Sequence, residues 1–126
     1  MWEWAGEYRK TEKRPGILVN DIRQQIPLLL GDVRYWIKDD TYDDGDEIAI
    51  RLHHRLVWIH PFPNGNGRHA RLLADIVAVK LGRTEFSWGS RELVELGPAR
   101  QEYIRCLRLA DANRDDIQPL LKFARS

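Results

Sequence analysis

The sequence predicts a mainly helical domain, all-α apart from one small β-hairpin, and three observations indicate it. Apolar residues recur at three- and four-residue spacing over several segments of the chain. Gly and Pro fall between those segments, where helices end and begin. Near the start, Pro15 and Gly16 mark a tight turn within a stretch of charged residues and turn formers, which favours a hairpin. At 126 residues, the chain, residues 1–126, is predicted to be one domain.

Two helices are predicted before the middle of the chain. Asn20 or Asp21 can cap the first, whose apolar spacing continues to Ile37. Pro27 predicts either a kink in this helix or its true start. Asp46 favours the start of the second helix. The residues predicted to form its buried stripe are Ile48, Leu52, Leu56 and Ile59.

Three further helices are predicted in the second half. The first ends at Gly82, Pro98 suits the first turn of the next, and the last begins near Asp115 or Asp116. The residues predicted to be buried are Leu72, Leu73, Ile76, Val77 and Val79 in the first, Tyr103, Ile104, Leu107 and Leu109 in the second, and Ile117, Leu120, Leu121 and Phe123 in the last.

Composition excludes several partners. The formal net charge is +1 with both signs mixed, so no basic face for nucleic acid is expected. The apolar run over residues 26–30 is far too short to span a membrane, and no signal peptide opens the chain. A single cysteine, Cys106, cannot form an internal disulfide and is interpreted as a small buried residue. We therefore expect a cytoplasmic protein.

The most informative stretch is HPFPNGNGRHAR, residues 60–71. Gly65 and Gly67 permit close backbone approach, so successive N–H groups can converge on an anion. A helix starting there adds its unpaired N–H groups and the positive end of its dipole. Arg68 and Arg71 leave one face of that first turn, and guanidinium groups suit phosphate oxygens geometrically.

Two further residues complete the predicted site. Asn66 supplies an amide at the loop apex, and His60 lies close enough upstream to accept a proton from a group that attacks phosphate. The alternative for Arg68 and Arg71 is a pair of surface arginines, but cations oppose the dipole at a helix N-terminus. The set fits nucleotidyl or phosphoryl transfer, although the loop is neither a P-loop nor a dinucleotide fingerprint.

This stretch resembles the Fic family signature, H-P-F-x-[D/E]-G-N-G-R-x-x-R. Residues 4–9, WAGEYR, also look like the family's segment before its flap hairpin. The run HHRLVWIHPFPNGNGRHARLLAD is similar, more specifically, to the Fic proteins called mobile mystery protein B. The resemblance covers nearly the whole chain. The matching positions are His60, Pro61, Phe62, Gly65, Asn66, Gly67, Arg68 and Arg71.

The resemblance implies a helical Fic-type core that transfers AMP from ATP, with Mg²⁺, to a Tyr, Ser or Thr hydroxyl of a target protein. It implies that His60 is the base and that Asn66 with neighbouring N–H groups forms an anion hole. It assigns Arg68 and Arg71 to the outer phosphates and Phe62 to anchoring the loop in the core. Doc-type relatives, which phosphorylate, carry lysine at the second motif glycine, so the glycine retained here favours AMP transfer.

Asn64 departs from the signature, because the family usually has Asp or Glu there to help hold Mg²⁺. An amide oxygen can ligate Mg²⁺ but carries no charge. One outcome is reduced but real transfer. Another is a nucleotide-binding regulatory module that has lost efficient chemistry. A third interpretation is an enzyme that either transfers a phosphoryl group or uses another nucleotide as the donor.

The resemblance also implies partners. The segment from Lys10 to Val19 would be a flap that pairs backbone-to-backbone with the target; the alternative is an ordinary exposed turn. Family members are commonly restrained by a helix with [S/T]-x-x-x-E-[G/N], which this sequence lacks. The chain starts abruptly at Met1, so we expect a truncated or short core. Its restraint would come from a missing N-terminal segment or from another chain, such as an antitoxin.

The remaining polar and aromatic residues receive ordinary interpretations. His53 and His54 are adjacent, with no further ligand at metal-binding spacing, so they are expected to be satisfied or half-exposed. His69 is expected at the surface. Trp88 could line an adenine pocket, although core is the favoured interpretation for the tryptophans, which are Trp2, Trp4, Trp36, Trp58 and Trp88. The basic cluster is interpreted as a solvated face of the flap and comprises Arg9, Lys10, Lys13 and Arg14.

Overall fold

A computed structural model describes residues 7–13, 16–42, 44–90, 93 and 97–126. It contains five α-helices and a short 3-10 helix, and these residues include no strand, so the prediction of a mainly helical fold is confirmed. The hairpin predicted between Lys10 and Val19 is not seen in the described part of that segment; residues 14 and 15 lie outside it. The helices are α1 (Val19–Lys38), α2 (Gly45–Ile59), α3 (Asn66–Lys80), α4 (Pro98–Ala112) and α5 (Gln118–Arg125), with the 3-10 helix at Trp88–Ser90.

Helix α2 is the centre of the fold and packs against α1, α3, α4 and α5. It contributes to both apolar clusters of the core, one shared with α1 and the other with α4 and α5. Asp44 caps its start by accepting a hydrogen bond of 3.0 Å from the Asp46 N–H. Its predicted stripe is confirmed as buried, at Ile48, Leu52, Leu56 and Ile59.

Helix α1 starts earlier than predicted. Neither Asn20 nor Asp21 caps it; the helix begins at Val19, whose N–H donates to the Glu12 carboxylate at 2.7 Å. A carboxylate from the preceding segment therefore replaces a local cap and also complements the helix dipole. The helix passes through the exposed Pro27 and does not start there.

The buried face of α3 was predicted only in part. Leu73 and Val77 pack against the apolar core, as predicted. Leu72, Ile76 and Val79 are exposed, whereas the helix buries small residues spaced four apart. Alanines on that face allow the backbone of α3 to come close to α2, and the larger side chains then point outward. Hydrophobicity alone therefore placed three exposed residues in the core and missed the alanines. The buried residues are Ala70, Ala74 and Ala78.

The C-terminal helices close the other side of the domain. Pro98 occupies the first turn of α4, as predicted, and Cys106 in mid-helix is fully buried, as predicted. Helix α5 begins at Gln118, later than predicted, and its Arg125 bonds the buried carboxylate of Asp46 through Nε at 2.8 Å. That hydrogen bond is the main reason that the pKa of Asp46 is lowered. In the part of the chain that the structure describes, no helix is long and apolar enough to cross a membrane.

Candidate active site

His60 stands at the point where α2 ends. It caps the helix in the left-handed conformation, with φ 54° and ψ 59°, and its N–H donates to Leu56 O at 2.9 Å. A non-glycine residue pays roughly 1–2 kcal/mol for this conformation. The left-handed cap turns the chain out of the helix, and the side chain of His60 lines a cavity of about 740 Å³.

Most of the predicted site residues line this cavity. Its floor comes from the end of α2 and the start of α3, and its far wall comes from α4. The α4 wall adds Arg100, Arg108 and Asp111, which the motif did not indicate. Among the residues that the structure describes, four arginines and one carboxylate therefore line this cavity. The predicted residues that line it are His60, Gly65, Asn66, Gly67, Arg68 and Arg71.

Asn66 fixes the shape of the loop. Its Oδ1 accepts a hydrogen bond of 2.9 Å from the Phe62 N–H, and its Nδ2 donates to Phe62 O at 2.8 Å. Gly65 adopts φ 73°, which strains any residue with a Cβ. Because an amide nitrogen carries two hydrogens, Nδ2 of Asn66 can bond Phe62 O and still has the capacity for a second hydrogen bond. Phe62 itself is only half-buried, against Tyr8 and His69.

The first turn of α3 gives the cavity a positive field. The opening N–H groups of a helix have no intrahelical acceptors, and the dipole adds partial positive charge. This turn contains no acidic residue and includes Arg68, with Arg71 close behind. A Cβ built on Gly67 would lie 3.1 Å from Nη1 of Arg71, so the glycine keeps room for that guanidinium. Such a surface suits a polyphosphate.

A buried pair, Tyr103 and His53, lies next to Arg71. The Tyr103 hydroxyl lies 2.8 Å from Nε2 of His53, and the guanidinium carbon of Arg71 lies 5.6 Å from the centre of the Tyr103 ring. Burial lowers the pKa of His53 to about 3, so its imidazole is neutral at physiological pH. This role could not be predicted from the sequence, because His53 belongs to no recognisable motif.

The electrostatics of His60 favour an uncharged ring. Its pKa is lowered, first by burial and then by the positive charges of Arg9 and Lys13. Its Nδ1 is buried and has no hydrogen-bond partner among the residues that the structure describes. A neutral imidazole at the edge of a cavity can accept a proton.

The prediction that Arg9 belongs to a solvated basic face was wrong. Its side chain is only 2% exposed and donates to main-chain carbonyls, including that of His60 at 2.5 Å. Lys10 is exposed and Lys13 is half-buried, while Arg14 lies outside the described residues. No spacing in the sequence distinguishes Arg9 from its basic neighbours, so its role could not be predicted from the sequence.

Other predicted residues lie away from the cavity or at its rim. Asn64 is exposed and is not among the residues that line the cavity. His54 is buried and bonds Asp111 at 2.8 Å, and no cluster of three or more His, Cys, Asp or Glu able to hold a metal occurs in the described ranges. His69 is half-buried against Phe62, so its prediction as a surface residue was wrong.

The tryptophans divide between core and surface. Trp88 is 7% exposed and packs on His53 in the core, so it does not line the nucleotide-sized cavity. Trp58, predicted as core, is 37% exposed and does line the cavity. Trp36 is half-buried against Tyr42. Trp2 and Trp4 lie outside the described residues.

Comparison with known proteins decides the family. The family model described as "Fic/DOC family" matches residues 2–78, more than half of the chain. The chain belongs to the Fic/DOC family. A solved Fic domain containing signaling protein from Bacteroides thetaiotaomicron superposes with a TM-score of 0.68 at 20% identity, covering 94% of this chain and 52% of that one. That likeness shows the Fic fold.

Relatives of known name cover the same region. A protein adenylyltransferase Fic from Nematostella vectensis is 30% identical over 121 residues, which are 94% of this chain and 26% of the relative. The protein adenylyltransferase fic-1 of Caenorhabditis elegans is 30% identical over 122 residues, 94% of this chain and 22% of that protein. The chain thus spans about a quarter of the relatives it matches. These relatives do not support the finer resemblance to mobile mystery protein B, because they are named Fic adenylyltransferases.

Proposed function

We propose that this Fic domain is a protein adenylyltransferase that transfers AMP from ATP to a hydroxyl side chain of a target protein. The observation that carries the proposal is one cavity that joins a neutral imidazole, His60, to the arginine-bearing N-terminus of α3. Relatives at 29–30% identity are named protein adenylyltransferases, which supports the same reaction.

The proposed reaction uses residues that line the cavity. The ATP phosphates bind at the first turn of α3, where Asn66 and the neighbouring N–H groups hold the α-phosphate. Arg68 and Arg71 hold the β- and γ-phosphates. His60 removes the proton of the target hydroxyl, whose oxygen attacks the α-phosphorus. The bond from that phosphorus to the bridging oxygen breaks, and pyrophosphate leaves with its charge stabilised by the arginines.

Mg²⁺ fits this site only as an ion carried by the nucleotide. The family position for a metal carboxylate is Asn64, which is an exposed, uncharged amide. Mg²⁺ keeps several waters and takes substrate phosphates as ligands, so Asn64 would supply at most one oxygen. The bound ion would neutralise phosphate charge. The proton transfer and the orientation of the phosphates are assigned to the protein side chains.

The target is proposed to bind beside the segment from Lys10 to Val19. Its described part is irregular up to the start of α1, with a bend at Thr11, and it is tied to the end of α2, because the Ile17 N–H donates to Ile59 O at 3.4 Å. A target strand could add its main chain to this segment next to His60. An inhibitory helix, within a longer protein or as an antitoxin, would compete for the arginines. We further propose that residues 1–126 form a single Fic core and that the reaction takes place in the cytoplasm.

The alternative function is a nucleotide-binding regulatory module. The exposed Asn64 favours it, because no carboxylate then helps to hold Mg²⁺ at that position. A phosphoryl-transferring relative is the second alternative, and Gly67 argues against it by family analogy.

Incubation of the chain with host lysate, Mg²⁺ and ATP labelled at the α- or the γ-phosphate separates these functions. Adenylyl transfer predicts protein-bound α-label only, and loss of that label with His60→Ala. Bound γ-label alone would indicate a kinase. ATP binding without any His60-dependent label would favour the regulatory module.

A further inference from the structure

Arg9 reaches across the chain to the residue that carries the proposed chemistry. Its Nε donates to His60 O at 2.5 Å, and its Nη2 donates to Ile59 O at 3.2 Å. The same guanidinium also donates to Thr11 O at 2.9 Å and to Ile17 O. One side chain, 2% exposed, thus joins the last carbonyls of α2 to the segment that precedes α1.

The end of α2 needs such a partner. The last carbonyls of a helix have no intrahelical donors, and a cation there complements the negative end of the dipole. His60 also holds a left-handed backbone without being glycine. Its ring receives no hydrogen bond at Nδ1 from the described residues, so the orientation of the imidazole depends on the backbone that Arg9 holds.

Gly16 makes the close approach possible. A Cβ at this position would lie 2.8 Å from Nη2 of Arg9 and 3.3 Å from the Cβ of His60. The three residues therefore form one packed unit: a glycine that leaves space, an arginine that fills it, and the histidine that the arginine holds. Ile17 strengthens the unit, because its N–H donates to Ile59 O at 3.4 Å.

We propose that Arg9 is a positioning residue for catalysis, which fixes the backbone of His60 so that its imidazole faces the cavity. The charge of Arg9 also adds to the effect of burial in lowering the pKa of that ring. The inference rests on the proposed function, because His60 is taken as the base. A fixed, uncharged ring is ready to accept a proton when the target hydroxyl arrives. The segment proposed to bind the target starts at the next residue, and Arg9 bonds two of its carbonyls, those of Thr11 and Ile17.

Other charges face His60. Lys13 comes from the same segment as Arg9, Arg68 and Arg71 come from α3, and Arg100, Arg108 and Asp111 come from α4. Arg9 differs from these residues in its direct bond to the His60 carbonyl. Two substitutions separate its two contributions. Arg9→Lys keeps the charge and loses the fork of donors, whereas Arg9→Gln loses both.

The test compares these variants with Arg34→Gln, which removes an exposed charge on α1 away from the residues that line the cavity. Circular dichroism and thermal unfolding identify the folded variants. Their transfer from α-labelled ATP is then measured against pH, and the His60 imidazole is titrated by NMR. In Arg9→Lys we expect kcat to fall at least about tenfold, with KM for ATP and the His60 titration nearly unchanged. In Arg9→Gln we expect the same fall, with the titration and the acid limb moved to higher pH.

The proposal is overturned if both variants fold and match Arg34→Gln in kcat and in the His60 titration. If Arg9→Gln does not fold, Arg9→Lys decides: wild-type kcat in that variant refutes the positioning role. The NMR titration needs no substrate, so it remains informative if the wild-type chain shows no transferase activity. In that case a shifted titration in Arg9→Gln would support the electrostatic link while the proposed function fails.

Discussion

The hydroxyl of Tyr103 on α4 lies 2.8 Å from Nε2 of His53 on α2, and the pair supports the guanidinium of Arg71 on α3. This relationship joins three helices behind the cavity. Burial raises the pKa of Tyr103, and the nearby Arg71 partly opposes that shift. The phenol is therefore a neutral support with one side towards the core and the other towards the phosphate-binding residues.

Removal of the Tyr103 hydroxyl should weaken both the fold and the site. Tyr103→Phe leaves Nε2 of His53 buried and unpaired, which should lower the free energy of unfolding by about 1–3 kcal/mol. Phe keeps the ring that contacts Arg71 but removes the hydroxyl that interacts with its guanidinium, so KM for ATP should rise roughly fivefold. Urea unfolding and steady-state kinetics measure the two effects. Tyr35→Phe, at a tyrosine 60% exposed on α1, is the matched control and should change neither.

Mild acid should destabilise the protein partly through His53. The folded protein binds this proton only near pH 3, whereas the unfolded chain binds it near the ordinary pKa of 6.5. Stability from the neutral ring is therefore present above pH 6.5 and is lost as pH falls towards 3, by up to about 1.4 kcal/mol per pH unit. His53→Gln should reduce this slope between pH 6.5 and 5 in urea unfolding experiments. An unchanged slope would show that His53 titrates normally in the folded protein.

An alanine at Gly67 should stabilise the protein and impair the site. The added Cβ lies 3.1 Å from Nη1 of Arg71, so the guanidinium must move, and KM for ATP should rise roughly fivefold. Alanine is also the better helix former, by about 0.5–1 kcal/mol. Gly31→Ala on α1, where an added Cβ meets nothing within 4 Å, should raise the thermal midpoint similarly without changing KM. Equal KM values for the two variants would contradict the role given to Arg71.

A carboxylate at position 64 should improve the use of Mg²⁺. Asn64→Asp adds a charged oxygen ligand at the family's metal position, so the Mg²⁺ concentration for half-maximal transfer should fall roughly tenfold. The control is Asn113→Asp, the same change at an exposed residue after α4. No gain in transfer, with ATP binding retained, would favour the regulatory module.

The sequence predicted the helices well because helical spacing is a local pattern, and the motif was recognisable for the same reason. The stripe of α2 follows helical spacing, and the glycines and arginines of residues 60–71 are adjacent in the chain. Prediction from the sequence failed where tertiary packing determines which residues are buried or how a helix is capped. The alanine face of α3 is chosen by the close approach of α2, which no hydrophobic count reveals. Glu12 replaced the expected cap of α1 for the same reason.

The residues around His60 show the same limit. Arg9 is 51 positions from His60 in the chain, and Tyr103 is 50 from His53, so neither pair has a local signature. The motif could name the groups that face the nucleotide. The groups that hold them in place come from distant parts of the chain, so their roles could be recognised only in the folded structure.

The most direct test of the account is the rate of AMP transfer by His60→Ala at matched ATP occupancy. Binding of ATP is first measured for the variant and the unmodified chain, and transfer from α-labelled ATP is then followed at saturating nucleotide. The account predicts nearly equal ATP affinity, because Arg68 and Arg71 are untouched, and loss of transfer by at least about a hundredfold. Equal transfer rates at equal occupancy would contradict it, because the imidazole could not then be the base.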